Sequence, residues 1–291
     1  MNIWFERFDR YHFFDWVPDA LYLRMRFKQR CGRSLNLAEP KTFNEKLQWL
    51  KLYNRKPEYT VMVDKYKVRE YIAQMIGEEY LIPLLGVWDD PEDIDFDALP
   101  NRFVLKCNHN SGLGMCICKD KSKLDITKVK AELRKGLQQN YYLSSREWPY
   151  KDVPRKIIAE KYMEDASGDL KDYKFYCFNG EMKFVMINSD RNTSKPTRAD
   201  YFDRDFNWLD FTWGYSHAEV HPQKPEQFEK MVAIAEKLAK GLPHIRVDLY
   251  DCNGKIYFGE LTFFDGSGFD KIEPEEWDLS LIHISEPTRR S

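Results

Sequence analysis

No stretch of this sequence is apolar over the roughly 18 residues that a membrane-spanning helix requires, and no signal-peptide pattern opens it. The Gly-Lys-Ser/Thr signature of a Walker phosphate loop is also absent. These absences predict a protein without a transmembrane segment. We expect it in the cytoplasm, with a peripheral position on the inner face of the membrane as an alternative.

Neither sign of charge dominates: 45 Lys and Arg residues face 47 Asp and Glu residues, for a net charge of −2. The chain as a whole therefore has no electrostatic attraction to nucleic acid, and we expect no nucleic-acid partner.

Cysteine is scarce, with six residues, and Cys116 and Cys118 are too close together for the usual paired zinc ligands. We interpret all six as reduced thiols.

Apolar and aromatic residues are plentiful, since 43% of the chain is hydrophobic and 15% aromatic. This supports a sizeable core in one large domain or two small ones. Apolar spacing and turn residues predict one or two helices in residues 1–40 and further helices at 42–53, 63–76, 124–139 and 225–240. Strands are predicted at 81–87, 103–106, 115–118 and 156–163, and hairpins at 172–187, 201–213 and 244–262.

The last of these hairpins carries two carboxylates. Asp248 alternates with apolar residues on the first strand, and Glu260 lies on the second, beyond Asn253-Gly254. A two-residue loop would place the carboxylates on opposite faces, so we expect a three-residue loop that places them on one face. Neighbouring carboxylates repel and usually require a cation, although two exposed surface acids are the simpler interpretation.

A lysine and a glycine-rich turn form a second candidate site. Lys106 ends a predicted strand, and residues 110–114 (NSGLG) follow it. Glycines allow backbone N–H groups to approach phosphate oxygens, while the ammonium supplies charge. The segment is typical of a phosphate-binding lid, but an ordinary glycine hairpin also explains it.

Five motifs follow one another along the chain in the order PKTFNEKLQWLKLYNR, VDKYKVREY, FVLKCNHNSG, RVDLY and GELTFFDGSGF. Together, over residues 15–278, they resemble the teichuronopeptide-biosynthesis (TupA-like) branch of the ATP-grasp superfamily. The resemblance implies an α+β ATP-grasp fold, with the nucleotide between the antiparallel sheets of two subdomains. We expect a helical N-terminal region at 1–100, a lid subdomain at 101–163 and a C-terminal subdomain at 164–278.

The resemblance assigns ATP contacts to four places. They are an Asp-Lys pair, the lysine that holds the α- and β-phosphates, the flexible lid loop, and the linker whose backbone groups bind adenine. These residues are Lys65; Lys106; Ser111, Gly112 and Gly114; and Glu160, Lys161, Tyr162 and Met163.

The resemblance assigns magnesium to Asp248, Glu260 and Thr262, the last standing where the superfamily usually has Asn. It assigns catalytic roles to Lys174, near the phosphates, and to Arg246, which would hold a phosphate or an acyl phosphate. From the residues alone, Lys174 is equally well a solvated lysine on a sheet surface.

The implied activity is an ATP- and magnesium-dependent carboxylate–amine ligase that forms an acyl phosphate, acting in cell-surface polysaccharide or teichuronopeptide biosynthesis. Its partners would be a small-molecule or polysaccharide acceptor and the polysaccharide assembly machinery. Two alternatives remain open. One is a glycosyltransferase using the Asp203-Arg204-Asp205 motif, and the other is a non-catalytic polysaccharide-assembly protein.

The final residues, 279–291, do not fit the local pattern, and LSLIHISEPTR resembles the translation of a transposase sequencing adapter. We expect the native sequence to diverge after about Asp278, and we give His283 no functional weight.

Overall fold

The computed structural model describes residues 3–166, 170–189 and 196–280. The chain forms two compact units. The first comprises Met1–Arg55, Leu143–Glu147 and Lys171–Ser291, and the second comprises Lys56–Tyr142 and Trp148–Leu170. The predicted subdomain borders near residues 100 and 163 remain predictions, because compactness is a different criterion from functional subdivision. No helix in the described ranges is both long and apolar enough to span a bilayer.

A helix lies within each segment predicted as helical, and three further short helices, at residues 58–63, 141–145 and 275–280, are not predicted by the sequence pattern. The α-helices are α1 (Ile3–Arg10), α2 (Asp19–Cys31), α3 (Phe43–Tyr53), α4 (Glu58–Val63), α5 (Val68–Met75), α6 (Ile126–Gln138), α7 (Tyr141–Ser145), α8 (Phe228–Ala239) and α9 (Glu275–Ser280).

The strands pair only in antiparallel fashion in the part of the chain that is described. They are β1 (Leu84–Trp88), β2 (Phe103–Cys107), β3 (Met115–Cys118), β4 (Ile157–Lys161), β5 (Lys171–Phe178), β6 (Glu181–Ser189), β7 (Arg198–Asp203), β8 (Trp208–Leu209), β9 (Thr212–Trp213), β10 (His244–Cys252), β11 (Lys255–Thr262) and β12 (Ile272–Glu273).

The first unit is built on a six-stranded sheet in the order β11-β10-β5-β6-β7-β8. Helix α8 packs on β5, β6 and β10, as its apolar stripe predicts. The stripe is buried throughout: Phe228, Met231, Ile234, Ala235 and Leu238.

Helix α3 also belongs to the first unit and begins at the predicted capping box. The Thr42 side chain accepts a hydrogen bond from the Glu45 backbone N–H, and the Glu45 side chain accepts one from the Thr42 backbone. Phe43 makes edge contacts with Phe178 and His244 of the large sheet, at centroid distances of 5.5 and 5.1 Å. The N-terminal helical region therefore shares the core of the large sheet.

The second unit contains a four-stranded sheet in the order β1-β4-β2-β3. Alternate residues of β2, Phe103 and Leu105, are fully buried, and Ile157 and Ala159 of β4 join the same core. Leu133 of α6 completes it. Lys106, which alternates with these residues, emerges from the core at the strand end.

The helix predicted at residues 63–76 begins only at Val68, as α5, because the preceding helix α4 ends at Val63 and a turn separates them. The Asp64 carboxylate accepts hydrogen bonds from the backbone N–H groups of Tyr66 and Lys67, at 2.8 and 3.2 Å. This aspartate turn competes with helical hydrogen bonding and ends α4. The turn leaves Lys65 between the two helices.

Two predictions fall partly or wholly on residues that are not described. The polar, turn-rich sequence of residues 188–197 predicts a mobile segment, and its residues 190–195 lie outside the described residues. Residues 281–291 of the adapter-like tail also lie outside them.

Candidate active site: a buried charge cluster and a lysine beside a glycine turn

The β10–β11 hairpin places Asp248 and Glu260 directly opposite each other. The loop is not the predicted three-residue loop, because Cys252 pairs with Lys255 and only Asn253 and Gly254 lie between them. These two residues have φ angles of 55° and 78°, as a two-residue hairpin turn requires.

The change of face comes from a β-bulge farther along the hairpin. Leu249 pairs with Phe258 but Asp248 pairs with Glu260, which leaves Gly259 as the extra residue. A Cβ atom on Gly259 would lie 3.0 Å from both the Asp248 carbonyl oxygen and the Tyr250 ring, so glycine suits this position. The prediction of a shared face is correct, but its expected cause is wrong.

Arg246 connects the two carboxylates. Its guanidinium donates to Asp248 through Nε at 2.7 Å and Nη2 at 2.8 Å, and Nη2 also donates to Glu260 at 2.8 Å. The side chain is buried. It shares a strand face with Asp248 because the two residues are separated by one position on β10.

Lys174 lies on the neighbouring strand β5, directly opposite Asp248. Its ammonium donates to Asp248 at 2.5 Å and to Asp172 at 2.6 Å. The lysine is buried and its pKa is raised, because the nearby carboxylates outweigh the effect of burial. The alternative interpretation of Lys174 as a solvated sheet lysine is therefore wrong.

A fourth carboxylate, Asp265, joins the cluster and was not singled out from the sequence. It accepts hydrogen bonds from the Arg246 Nη1 atom and from the Tyr176 hydroxyl. It lies only three residues beyond Thr262, so the GELTFFDGSGF motif contained it. Residue spacing gave no indication that the chain turns back towards Arg246.

The charge balance of this group is uneven. Two cations, Arg246 and Lys174, face four carboxylates, those of Asp172, Asp248, Glu260 and Asp265. With every group ionised, the formal charge is 2 − 4 = −2. Burial raises the pKa of the Asp248 carboxyl to about 6, against the lowering effects of Arg246 and Lys174.

A divalent cation would neutralise this excess. The Thr262 hydroxyl lies 3.2 Å from Glu260, where it donates to the carboxylate. Within residues 3–166, 170–189 and 196–280, no group of three or more His, Cys, Asp or Glu side chains has the arrangement of a metal site. Magnesium is commonly held by one or two carboxylates, with phosphate oxygens and water completing its shell, so Asp248 and Glu260 fit that ion.

In the second unit, Lys106 forms an ion pair with Glu160 at 2.6 Å. Arg69 donates to the same carboxylate at 3.2 Å. Two cationic groups therefore converge on one acid, and a single acid does not neutralise both. This surplus positive charge is what a phosphate-binding function requires.

Lys65 lies beside the glycine turn. Its ammonium donates to the Asn110 carbonyl at 2.7 Å, and its backbone N–H donates to the Asn108 carbonyl at 3.1 Å. Asn108 itself is buried and bonds to Asp64 and to the Pro154 carbonyl, both at 2.8 Å. Asn108 therefore holds the start of the turn in place.

The turn has two parts with different environments. Ser111 and Gly112 are exposed, and nothing lies within 4 Å of a Cβ atom built on Gly112. Gly114 is buried, and a Cβ atom there would lie 2.7 Å from the Cys107 sulfur and 2.8 Å from the Gly136 Cα of α6. The structure thus anchors the turn at Gly114 and exposes its tip.

The predicted adenine linker, residues 160–163, comprises the last two residues of β4 and the two that follow them. The Lys161 backbone N–H donates to the Pro83 carbonyl at 3.0 Å. The Arg102 guanidinium stacks over the Tyr162 ring at 4.4 Å, and Met163 is half-buried. These contacts fix the backbone of the linker, and its contact with adenine remains a prediction.

The Asp203-Arg204-Asp205 motif forms a turn. The Asp203 carboxylate accepts from the backbone N–H groups of Asp205 and Asn207 at 2.9 and 2.8 Å. Arg204 pairs with Glu229 of α8 at 2.9 Å. These contacts account for the conformation of the motif.

The model of the TupA-like ATP-grasp family matches residues 45–283 of this sequence, which is most of the chain. The chain belongs to the TupA-like ATP-grasp family. This confirms the resemblance seen in the sequence motifs, and the ATP-grasp protein has the expected α+β architecture of helices with antiparallel sheets.

Several solved structures resemble the ATP-grasp protein. They include D-alanine–D-alanine ligase from Bacillus anthracis complexed with ATP (19% identity, TM-score 0.41, covering 70% of this chain and 54% of that chain). D-alanine–D-alanine ligase from Helicobacter pylori has 14% identity and a TM-score of 0.44, and the match covers 77% of this chain and 63% of the ligase. An ADP complex of N5-carboxyaminoimidazole ribonucleotide synthetase has 14% identity and a TM-score of 0.43, covering 75% and 50%. This chain thus spans half to two thirds of their lengths. No curated protein matches it.

Proposed function

We propose that this ATP-grasp protein is an ATP- and magnesium-dependent ligase that activates a carboxylate as an acyl phosphate for attack by an amine. We further propose a role in cell-surface polysaccharide or teichuronopeptide biosynthesis, with a small-molecule or polysaccharide acceptor. The observation that carries the proposal is the charge cluster around the buried Arg246, in which four carboxylates face two cations in a chain of this family.

Asp248 and Glu260 would hold the magnesium ion, with Thr262 orienting Glu260 through its hydroxyl. When bound, magnesium neutralises phosphate charge during phosphoryl transfer. The chain contributes the fixed positions of the two acids. The bulge at Gly259 sets the face of Glu260, and the two bonds from Arg246 restrict the Asp248 carboxylate.

The cationic residues would bind the phosphates. The Lys106 side chain is partly exposed at the end of β2, and its ion pair with Glu160 restricts the direction of its ammonium group. Lys65 supports the backbone of the glycine turn. Backbone N–H groups at the exposed tip, around Ser111 and Gly112, would approach phosphate oxygens without steric hindrance.

Arg246 and Lys174 would stabilise the acyl phosphate. Both groups keep their charge across the physiological pH range, because the surrounding carboxylates raise the pKa of each. Such fixed cations stabilise developing charge without reorganising during the reaction. The chemistry needs no nucleophilic side chain, because the carboxylate substrate attacks the γ-phosphate and the amine then displaces phosphate.

The test is ADP release by the full-length native protein, with ATP, magnesium and panels of candidate acids and amines. Asp248→Asn and Glu260→Gln should each abolish ADP release while thermal unfolding stays cooperative. Asp203→Asn, which changes an exposed turn, is the matched control and should retain activity. Full activity in both site variants would exclude the metal assignment. Turnover of a nucleotide sugar without ADP would support a glycosyltransferase instead.

A further inference from the structure

The loop Asp265–Gly268, which follows β11, has an unusual backbone. Gly266, Ser267 and Gly268 have φ angles of 54°, 54° and 63°, so three consecutive residues are left-handed. Glycine adopts this region freely, but a serine there has a strained backbone. Neighbouring groups must therefore hold Ser267 in place.

Three buried side chains from distant parts of the first unit hold it. The Ser267 carbonyl accepts hydrogen bonds from the Lys51 ammonium at 2.8 Å and from the Gln48 amide at 3.1 Å. The Ser267 hydroxyl donates to Glu147 at 2.6 Å. The Gln48 amide also donates to the Gly268 carbonyl at 2.8 Å. The carbonyl and the hydroxyl of Ser267 are thus both bound.

Lys51 is fully buried, and its position is closely defined. Besides Ser267, its ammonium donates to Gln48 Oε1 at 3.0 Å and to the Ser145 carbonyl at 2.9 Å. It also lies 4.5 Å from the centroid of the Phe269 ring. Burial of a lysine is unfavourable unless its donors are satisfied, and here each of the three donors has an oxygen acceptor. One of these three acceptors is the Ser267 carbonyl, so the loop is needed to satisfy the buried Lys51 ammonium.

The held loop begins with the residue that contacts the charge cluster. Asp265 accepts hydrogen bonds from Arg246 and from the buried Tyr176 hydroxyl. Arg246 in turn bonds to Asp248 and Glu260. The hydrogen bonds from α3 to Ser267 and those from Asp265 to Arg246 are therefore joined by the short backbone segment of the left-handed loop.

We propose that Lys51, Gln48 and Glu147 are positioning residues that hold the Asp265–Gly268 loop in its left-handed conformation, so that Asp265 fixes Arg246. The part concerning catalysis rests on the proposed function, while the part concerning the loop does not. None of the three residues touches a reacting group. Their effect passes through Ser267 and Asp265 to Arg246.

The first experiment measures the loop without any substrate. Hydrogen exchange of peptides covering residues 264–269 is compared in the wild type, Lys51→Met and the milder Ser267→Ala, which loses only the bond to Glu147. We expect exchange in this segment to accelerate about tenfold or more in both variants, because the open loop becomes more populated. Val232→Ala, which truncates a buried side chain on α8, is the control for general destabilisation. It should accelerate hydrogen exchange in α8 more than in residues 264–269. Unchanged loop exchange in both site variants overturns the proposal.

The second experiment tests the link to Arg246 by a double-mutant cycle in kcat for ADP release. Ser267→Ala alone should lower kcat about tenfold. It should leave KM for ATP within about twofold, because neither Ser267 nor Glu147 is among the proposed nucleotide contacts. In an Asp265→Asn background, the same change should lower kcat by less than about twofold, because the two residues act in series. Val232→Ala should keep kcat at the wild-type value.

The outcomes separate the two proposals. If the wild type releases no ADP with any acid and amine, the ligase proposal fails, and the exchange experiment still decides the loop proposal. If the wild type is active and the effects of Ser267→Ala and Asp265→Asn on kcat multiply in full, the positioning role is overturned while the ligase proposal stands.

Discussion

At the scale of single residues, the proposed chemistry depends on how the charge of Asp248 is balanced. Its carboxyl is buried, and its pKa of about 6 lies above the ordinary value of 3.8. Between pH 3.8 and about pH 6, the Asp248 carboxyl is therefore protonated to a greater extent in the folded protein than in the unfolded chain. It follows that, without a bound cation, the contribution of Asp248 to the free energy of unfolding decreases as the pH rises from about 4 to 6.

Magnesium should consequently stabilise the protein in a pH-dependent way. At pH 7.5 the Asp248 carboxylate is ionised and a divalent cation offsets the negative excess, so the melting temperature should rise by several degrees with saturating magnesium, roughly as ligand linkage predicts. At pH 5 the protonated carboxyl binds the ion poorly, and the rise should largely disappear. Differential scanning calorimetry at the two pH values measures this.

The same scans of Asp248→Asn serve as the control, because the variant should show little magnesium effect at either pH. An equal rise at pH 5 and pH 7.5 in the wild type would place the binding ion elsewhere.

The alternation of Arg246 and Asp248 with apolar residues was enough to predict that they share a face. The burial of Lys174 was not predictable in this way, because it depends on β5 pairing with β10 across about 70 residues of sequence. Asp265 and Lys51 were missed for the same physical reason. Their partners are far away in the chain, and no local pattern encodes a long-range contact.

At the scale of elements, the hairpin shows how a correct prediction arose from an incorrect mechanism. The strands and the position of the turn at Asn253-Gly254 were predictable from turn chemistry, but the loop has two residues rather than the expected three. The bulge at Gly259 was not, because a glycine inside a strand is compatible with either a bulge or a close approach of another group. Similarly, the apolar periodicity across residues 63–76 did not reveal the Asp64 turn, since that turn depends on one side-chain hydrogen bond pattern.

The glycine turn of the second unit allows a prediction for an element. Gly114→Ala should lower the free energy of unfolding by about 3 kcal/mol, because the added methyl group overlaps α6 and the residue is left-handed. Gly112→Ala is the matched control: it is also left-handed, but its methyl group meets no atom, so a loss of about 1 kcal/mol is expected. Urea denaturation of both variants provides the comparison, and equal losses would contradict the packing argument.

At the scale of the whole molecule, the first unit is assembled from three separate stretches of the chain. The sequence indicated a helical N-terminal region but not that its helices complete the core of a sheet formed mostly after residue 170. Asn44 illustrates the connection. Its backbone N–H donates to Asp278 at 3.2 Å and its amide donates to the Asp270 carbonyl at 2.9 Å.

Removal of residues 1–55 should therefore unfold the first unit. The truncated chain loses Phe43 from the aromatic core and the Lys51 and Gln48 contacts to the loop, so β5, β10 and their neighbours keep exposed apolar surface. We expect loss of cooperative thermal unfolding, followed by circular dichroism, and protection from proteolysis only for peptides of the second unit. Removal of residues 1–16 is the control, since it spares α2 and α3, and it should retain a cooperative transition at a lower temperature. A truncated chain starting at Lys56 that unfolds cooperatively at the wild-type temperature would show that the N-terminal helices are an appended domain, and that the loop at Ser267 is held by something other than α3.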